Sequence, residues 1–248
     1  MAIQLYQFAV SHYCEKVRWA LDYKGIRYQP VYLLPGNHVA TIRRFTRKTA
    51  VPVLVDDQQV IQGSCDIISY LDETYKDHPL TPTTPKLQEQ ALAWEQQLDN
   101  EAGVAIRCFC YHHLLQRPKA AIPVLAAQTP FYNRWILALT FSRVDEIMRE
   151  WMKINERTAA KAEQVTTQTL DRLAKVYQKK QWLVGDTFTR ADLTAAALYA
   201  PLFEPAQYPV PWPKGRHVPK GLISWRDQHQ DKLALLAQRY AAMRDARP

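Results

Sequence analysis

The chain has 248 residues, 47% hydrophobic and 23% charged, with a formal net charge of +8. That balance excludes a disordered polymer, and the length exceeds what one small domain needs, so a second domain is expected. No uninterrupted apolar run approaches a membrane span, and four cysteines in a chain of this size do not make a secreted disulfide framework.

The N-terminus shows no basic region followed by an apolar stretch and a small-residue cleavage site, so the expected location is the cytoplasm. A positive balance suits an anionic ligand, and it would equally suit nucleic acid or a membrane surface. No nucleic-acid motif accompanies the charge, and neither nucleic acid nor membrane is expected as a partner.

Ile3 to Phe8 alternates with period two, as a half-buried strand should. From Glu15 onward, Val17, Ala20 and Leu21 form a helical stripe that Gly25 closes. Arg27 to Leu33 reads as a second strand, and a strand–helix–strand order implies a right-handed parallel crossover. Val51 to Ile61 reads as a hairpin turning at Asp56 to Gln59, after which Ser64 is expected to cap a helix carrying Ile67, Ile68 and Leu71. This order is the thioredoxin topology. The expected N-terminal domain is residues 1–77, followed by a proline- and threonine-rich linker at 78–85.

Residues 86–245 are helical in pattern, which makes the expected fold class an α/β thioredoxin-like domain followed by an all-α domain. The expected helices are Lys86 to Leu115, Tyr132 to Trp151, Ala159 to Tyr177, one starting at Thr189, and Ile223 to Met243. Thr189 and Asp192 have the spacing of a capping-box variant, with Phe188 and Leu193 as its hydrophobic staple, a structural device. Pro205 to Pro219 is a proline-rich loop expected on the surface or over a cleft. Trp135, Trp182, Trp212 and Trp225 are expected in the core or an interface.

Several motifs together resemble the soluble glutathione transferase superfamily. They are Ser11-His12-Tyr13-Cys14-Glu15-Lys16-Val17-Arg18, then Val51-Pro52, then Gly63-Ser64-x-Asp66-Ile67-Ile68-x-Tyr70-Leu71, and finally Gly185 to Leu193 around the capping box. Their order and separation, with a proline linker between two unlike halves, carry the resemblance over most of the chain. It implies an enzyme with glutathione as co-substrate, a small electrophilic or hydrophobic acceptor held by the helical half, a detoxification role and a homodimer.

The resemblance assigns three contacts to glutathione. Ser11 aligns with a position where several transferase classes carry a catalytic Ser and others a Cys. A thiol of pKa about 8.5 needs about 2 kcal/mol to be half-ionised at neutral pH, and a hydroxyl donor at a helix N-terminus supplies that much. The same hydroxyl would also serve as a plain helix cap. Val51 and a cis Pro52 would present backbone groups to the cysteinyl residue in the manner of an added strand. Ser64 at a helix start would take the γ-glutamyl carboxylate.

The pattern departs from the family at the ligand. Gly63 stands where Glu or Gln is usual, Asp66 where Ala is common, and Thr46 to Thr49 replaces an Asn-Pro-x-Gly. Arg43, Arg44, Arg47 and Lys48 form a basic cluster, of which one or two would face the glycyl carboxylate. Cys14 supports a rival reading, because Ser11-x-x-Cys14 has the spacing of a redox dithiol motif lacking its first cysteine, and thiolates are stabilised at helix N-termini. Cys108 and His112 lie one helical turn apart, but no second cluster completes a zinc site and no metal is expected. A non-catalytic binding protein on the same fold is the third reading.

Overall fold

The computed structural model describes residues 3–246, so the first two residues of the expected N-terminal domain lie outside the description. Strand β1 (Ile3–Gln7) buries alternate residues, and helix α1 (His12–Tyr23) leads to strand β2 (Tyr28–Tyr32), which pairs with β1 in parallel. A short helix α2 (His38–Ile42), not anticipated from the sequence, follows. Strands β3 (Val53–Asp56) and β4 (Gln59–Gln62) form the anticipated hairpin, and helix α3 (Ser64–Thr74) closes the unit. The sheet order β2-β1-β3-β4, with β3 antiparallel to both neighbours, is thioredoxin-like.

The register decides at which end of the sheet the candidate site segments emerge. Tyr6, Val53 and Gln62 stand in one row across β1, β3 and β4. β4 finishes at that row, β1 one residue beyond it, and β3 begins there. The segments carrying Ser11, Val51–Pro52 and Gly63–Ser64 therefore all leave the sheet at one end.

The second domain is helical, as expected. It comprises α4 (Pro85–Leu98), α5 (Val104–Leu115), α6 (Pro118–Leu125), α7 (Tyr132–Trp151), α8 (Glu156–Tyr177), α9 (Arg190–Phe203), α10 (Lys220–Gln228) and α11 (Gln230–Met243). Three boundaries differ from the sequence reading. Helix α8 starts at Glu156 because Asn155 and Thr158 form a capping box, and α6 was hidden by its prolines, Pro118 and Pro123. The final helix is two, broken at His229, whose ring packs on Trp225 at 4.6 Å.

The expected helix from Lys86 to Leu115 is a continuous rod, but its central turn, Asp99–Gly103, is a π-helix. The side chains of α1 account for this. The Tyr13 hydroxyl donates to the Asp99 carbonyl at 2.7 Å, and His12 Nε2 donates to the Gly103 carbonyl at 3.0 Å, both acceptors lying in the widened turn. Glycine is required at 103, since a Cβ there would come within 2.3 Å of the Tyr13 hydroxyl.

Helix α1 packs against α3 in its own domain and α9 in the other, and three of its charged residues, Glu15, Lys16 and Arg18, are buried. Lys16 Nζ lies 3.0 Å from Glu95 and 2.7 Å from Asp99, and Arg190 of α9 meets Glu95 at 2.6 Å. Burial alone would raise the Glu95 carboxyl, yet Lys16 and Arg190 outweigh it and hold the group below the usual carboxylate range. Glu15 accepts from Arg18 at 2.7 Å, Arg244 at 2.8 Å and the Tyr240 hydroxyl, tying α11 to the same helix.

Helix α9 is buried almost throughout. Its start is the capping box read from the sequence: the Thr189 N–H donates to Asp192, and the Thr189 hydroxyl accepts from Ala191. Asp192 also accepts from Leu183 N–H and the Tyr177 hydroxyl, and burial lifts its carboxyl to about 6. By contrast α7 fully buries only Leu137 and Phe141 and leaves Phe131, Trp135, Leu139 and Trp151 at 79%, 71%, 89% and 68% exposure. Among the described residues no helix is long and apolar enough to cross a membrane.

Removing one partner of a buried pair leaves the other charge uncompensated. Lys16→Met is expected to cost about 3–5 kcal/mol, read from urea unfolding at neutral pH. His12 gives a pH signature. Burial, reinforced by Arg107, pushes its imidazole down to about 3, against 6.5 for an ordinary histidine. The folded value is depressed, so this stability is complete above the unfolded value and is lost as pH falls from about 6.5 towards 3. Urea unfolding at pH 7 and pH 5 should show a change in stability about 2 kcal/mol more unfavourable in the wild type than in His12→Gln, a difference that isolates this group from Asp192 and the other titrating residues.

Candidate functional site

Ser11 is the N-cap of α1, half-buried, with its side-chain oxygen accepting from Cys14 N–H at 3.3 Å. That bond uses an acceptor lone pair and leaves the hydroxyl proton to donate elsewhere. The loop behind it is fixed carbonyl by carbonyl. Arg18 donates to Phe8 O at 3.4 Å and Ala9 O at 3.1 Å, and the Tyr208 hydroxyl donates to Val10 O at 2.9 Å. Tyr208 belongs to the proline-rich loop, which thus lies over the cleft.

Cys14 is fully buried inside α1. Desolvation raises its thiol, and the opposing effects of Arg18 and Ser11 do not reverse this, so it is protonated at neutral pH. The Val51–Pro52 peptide is cis, and Val51 lies ahead of the β3 ladder, which begins at Val53. Gln62 steadies the preceding loop through Lys48 O at 3.0 Å and Ala50 O at 2.7 Å. Arg43, Arg44, Arg47 and Lys48 themselves are exposed.

The role expected of Ser64 needs correction. Gly63, not Ser64, occupies the N-cap of α3, with φ 106° and its carbonyl accepting from Ile67 N–H at 3.0 Å. That positive φ suits glycine, which explains the residue's fitness there. Ser64 is the first helical residue and is buried, while Asp66 in the same turn is exposed. The helix start keeps unpaired N–H groups of the kind that bind carboxylates.

Next to this end of the sheet is a cleft between α5 and the segment from Pro201 to Arg226. Val10 and His12, the two neighbours of Ser11, line it together with Arg107, Tyr111 and Trp212. Cys110 and Tyr111 line this cleft and His112 does not. Arg107 was missed, because one arginine on a helix has no sequence pattern. Cys108 and His112 gain no third ligand: among the described residues no group of three His, Cys, Asp or Glu is placed to hold a metal.

The family model for the glutathione S-transferase N-terminal domain matches residues 5–79, and that for the C-terminal domain matches residues 134–210. Glutathione S-transferase Z1 of Arabidopsis thaliana is 40% identical over 83 residues, which is 32% of this chain and 38% of that protein. Glutathione S-transferase 1 of Dianthus caryophyllus is 38% identical over 38% of this chain and 42% of its own. The chain thus spans less than half the length of these curated relatives. Among solved structures, a glutathione S-transferase from Methylobacterium radiotolerans in complex with glutathione sulfonate superposes with a TM-score of 0.66 at 20% identity, covering 99% of this chain and 93% of that one. One from Rhodospirillum rubrum gives 0.67 at 18%, covering 98% and 90%. These likenesses establish the shared fold. With both family models matched in order over more than half its residues, the chain belongs to the glutathione transferase superfamily.

Proposed function

We propose that the protein conjugates glutathione to a small electrophile in the cytoplasm, with residues 1–77 holding the tripeptide, 86–245 shaping the acceptor cleft and 78–85 joining them. Glutathione lies at the end of the sheet where three segments emerge. Backbone groups of Val51, ahead of Pro52, pair with its cysteinyl residue. Gly63 brings no side chain to the γ-glutamyl end, so Ser64 and the open N–H groups of α3 meet its carboxylate, and Asp66 its ammonium group. The thiol releases its proton to solvent, the thiolate sulfur attacks the acceptor carbon, and the leaving group departs with its electron pair.

The observation that carries this reading is the bonding of Ser11. Its oxygen accepts from Cys14 N–H through a lone pair, so the hydroxyl keeps a proton that it can donate to a sulfur anion beside the α1 N-terminus. The buried, protonated Cys14 thiol supports hydroxyl chemistry over a redox cycle. Ser11→Ala should lower kcat/KM about 10–100-fold, the equivalent of one hydrogen bond to a charged group. It should also raise the pKa of bound glutathione, read from thiolate absorbance. A loss of activity confined to Cys14→Ser would instead support the oxidoreductase reading, and no calorimetric glutathione binding at millimolar concentration would support a non-catalytic role.

A homodimer also belongs to this reading, through α7. Phe131, Trp135 and Leu139 repeat every four residues on one exposed stripe. Aromatic side chains present about 150–250 Å² each, so this stripe supplies the apolar centre of the roughly 800 Å² that one partner contributes to a stable interface. The ion pairs Arg143–Glu146 and Arg149–Asp145 along the same helix are internally balanced, which favours an identical partner over one of opposite charge. Sedimentation should show a wild-type dimer and a Trp135→Glu monomer; a monomeric wild type would overturn this assignment.

A further inference from the structure

The cleft beside Ser11 is apolar over most of its wall, with Val10, Ile106, Leu114, Val124 and Leu222 among its lining residues, but it is not electrically neutral. Arg226 and Glu204 both line it and pair at 2.7 Å, cancelling each other, while Arg226 Nε remains buried without a hydrogen-bond partner. His12, held neutral by burial, adds no charge. Arg107 is the remainder. It is half-buried and, among the described residues, has no hydrogen-bond or ion-pair partner. Its field reaches His12, Tyr13, Cys108 and Tyr111, which places the uncompensated charge at the cleft and close to the residues around Ser11.

A cation withdrawn from water without a counter-ion is costly unless a ligand supplies one. Tyr111 stands one helical turn beyond Arg107 on α5, on the same face and in the same cleft. Burial keeps its phenol protonated, so it offers a hydroxyl donor. A planar guanidinium and a neighbouring hydroxyl together match a carboxylate or sulfonate.

We propose that Arg107, assisted by the Tyr111 hydroxyl, binds the anionic group of the acceptor, so that the preferred electrophile is an apolar or aromatic body bearing a carboxylate or sulfonate. Arg107 is thus a specificity-determining residue. This rests on the transferase reading for the reaction, while the anion site itself can be tested without turnover.

The test compares a chlorodinitrobenzoate with the matching neutral chlorodinitrobenzamide as acceptors, each corrected for its uncatalysed rate with glutathione. Calorimetry with the dinitrobenzoate and dinitrobenzamide lacking the leaving group runs in parallel. The wild type is expected to prefer the anion about tenfold or more in both measurements, and added salt should reduce the preference. Arg107→Gln should bring the ratio to about one, and Arg107→Lys, which keeps the charge but loses the fork, should retain part of it. Equal treatment of the two compounds by the wild type, or a preference surviving Arg107→Gln, would overturn the proposal. So would a weakening of glutathione binding in Arg107→Gln with the anion preference intact. Preferential binding without conjugation would refute the transferase reading and leave the anion site standing.

Discussion

Everything in this molecule is referred to the buried charges of α1. Glu15, Lys16 and Arg18 would each be expensive to bury alone, and each is matched by partners from elsewhere in the chain. Lys16 reaches the first long rod of the helical domain, and Glu15 reaches α11 near the chain's end. Arg18 turns back to the loop that follows β1. One helix thereby sets the relation between the domains and the shape of the loop that presents Ser11.

The chemistry proposed for Ser11 follows from that scaffold. A serine at a helix start has two uses, capping the helix and donating a proton, and here they are compatible, because the cap uses only a lone pair of the oxygen. The loop is clamped at three successive carbonyls by Arg18 and Tyr208, side chains from opposite ends of the sequence. Tyr208 also brings the proline-rich loop, and with it Trp212, to the cleft. The cleft wall and the loop carrying Ser11 are therefore positioned by shared contacts.

Much of this was legible in the residues. The strands of the first domain announced themselves by alternation, and Thr189 with Asp192 announced the start of α9, because these signals are local and repeat at the period of the element. Ser11 and Pro52 were legible through their order relative to those elements. What escaped was set by tertiary contact. The π-turn at Asp99–Gly103 depends on Tyr13 and His12, residues some ninety positions earlier. Ser64 was read as a cap because serine commonly is one, yet the positive φ belongs to Gly63. The burial of Lys16 ran against the usual fate of lysine, and the isolation of Arg107 was invisible without the surrounding cleft.

The widened turn has a consequence for how this rod can change over time. An α-helix advances by about 100° per residue and the wider π-turn by about a fifth less, so rewinding Asp99–Gly103 as regular α-helix with every residue kept would rotate everything beyond it by about a quarter turn. Arg107 and Tyr111 would swing off the cleft together, however well each was individually preserved. The π-turn thus acts as an angular setting for the far half of the rod, and the Tyr13 and His12 side chains that hold it open also keep the cleft wall in phase.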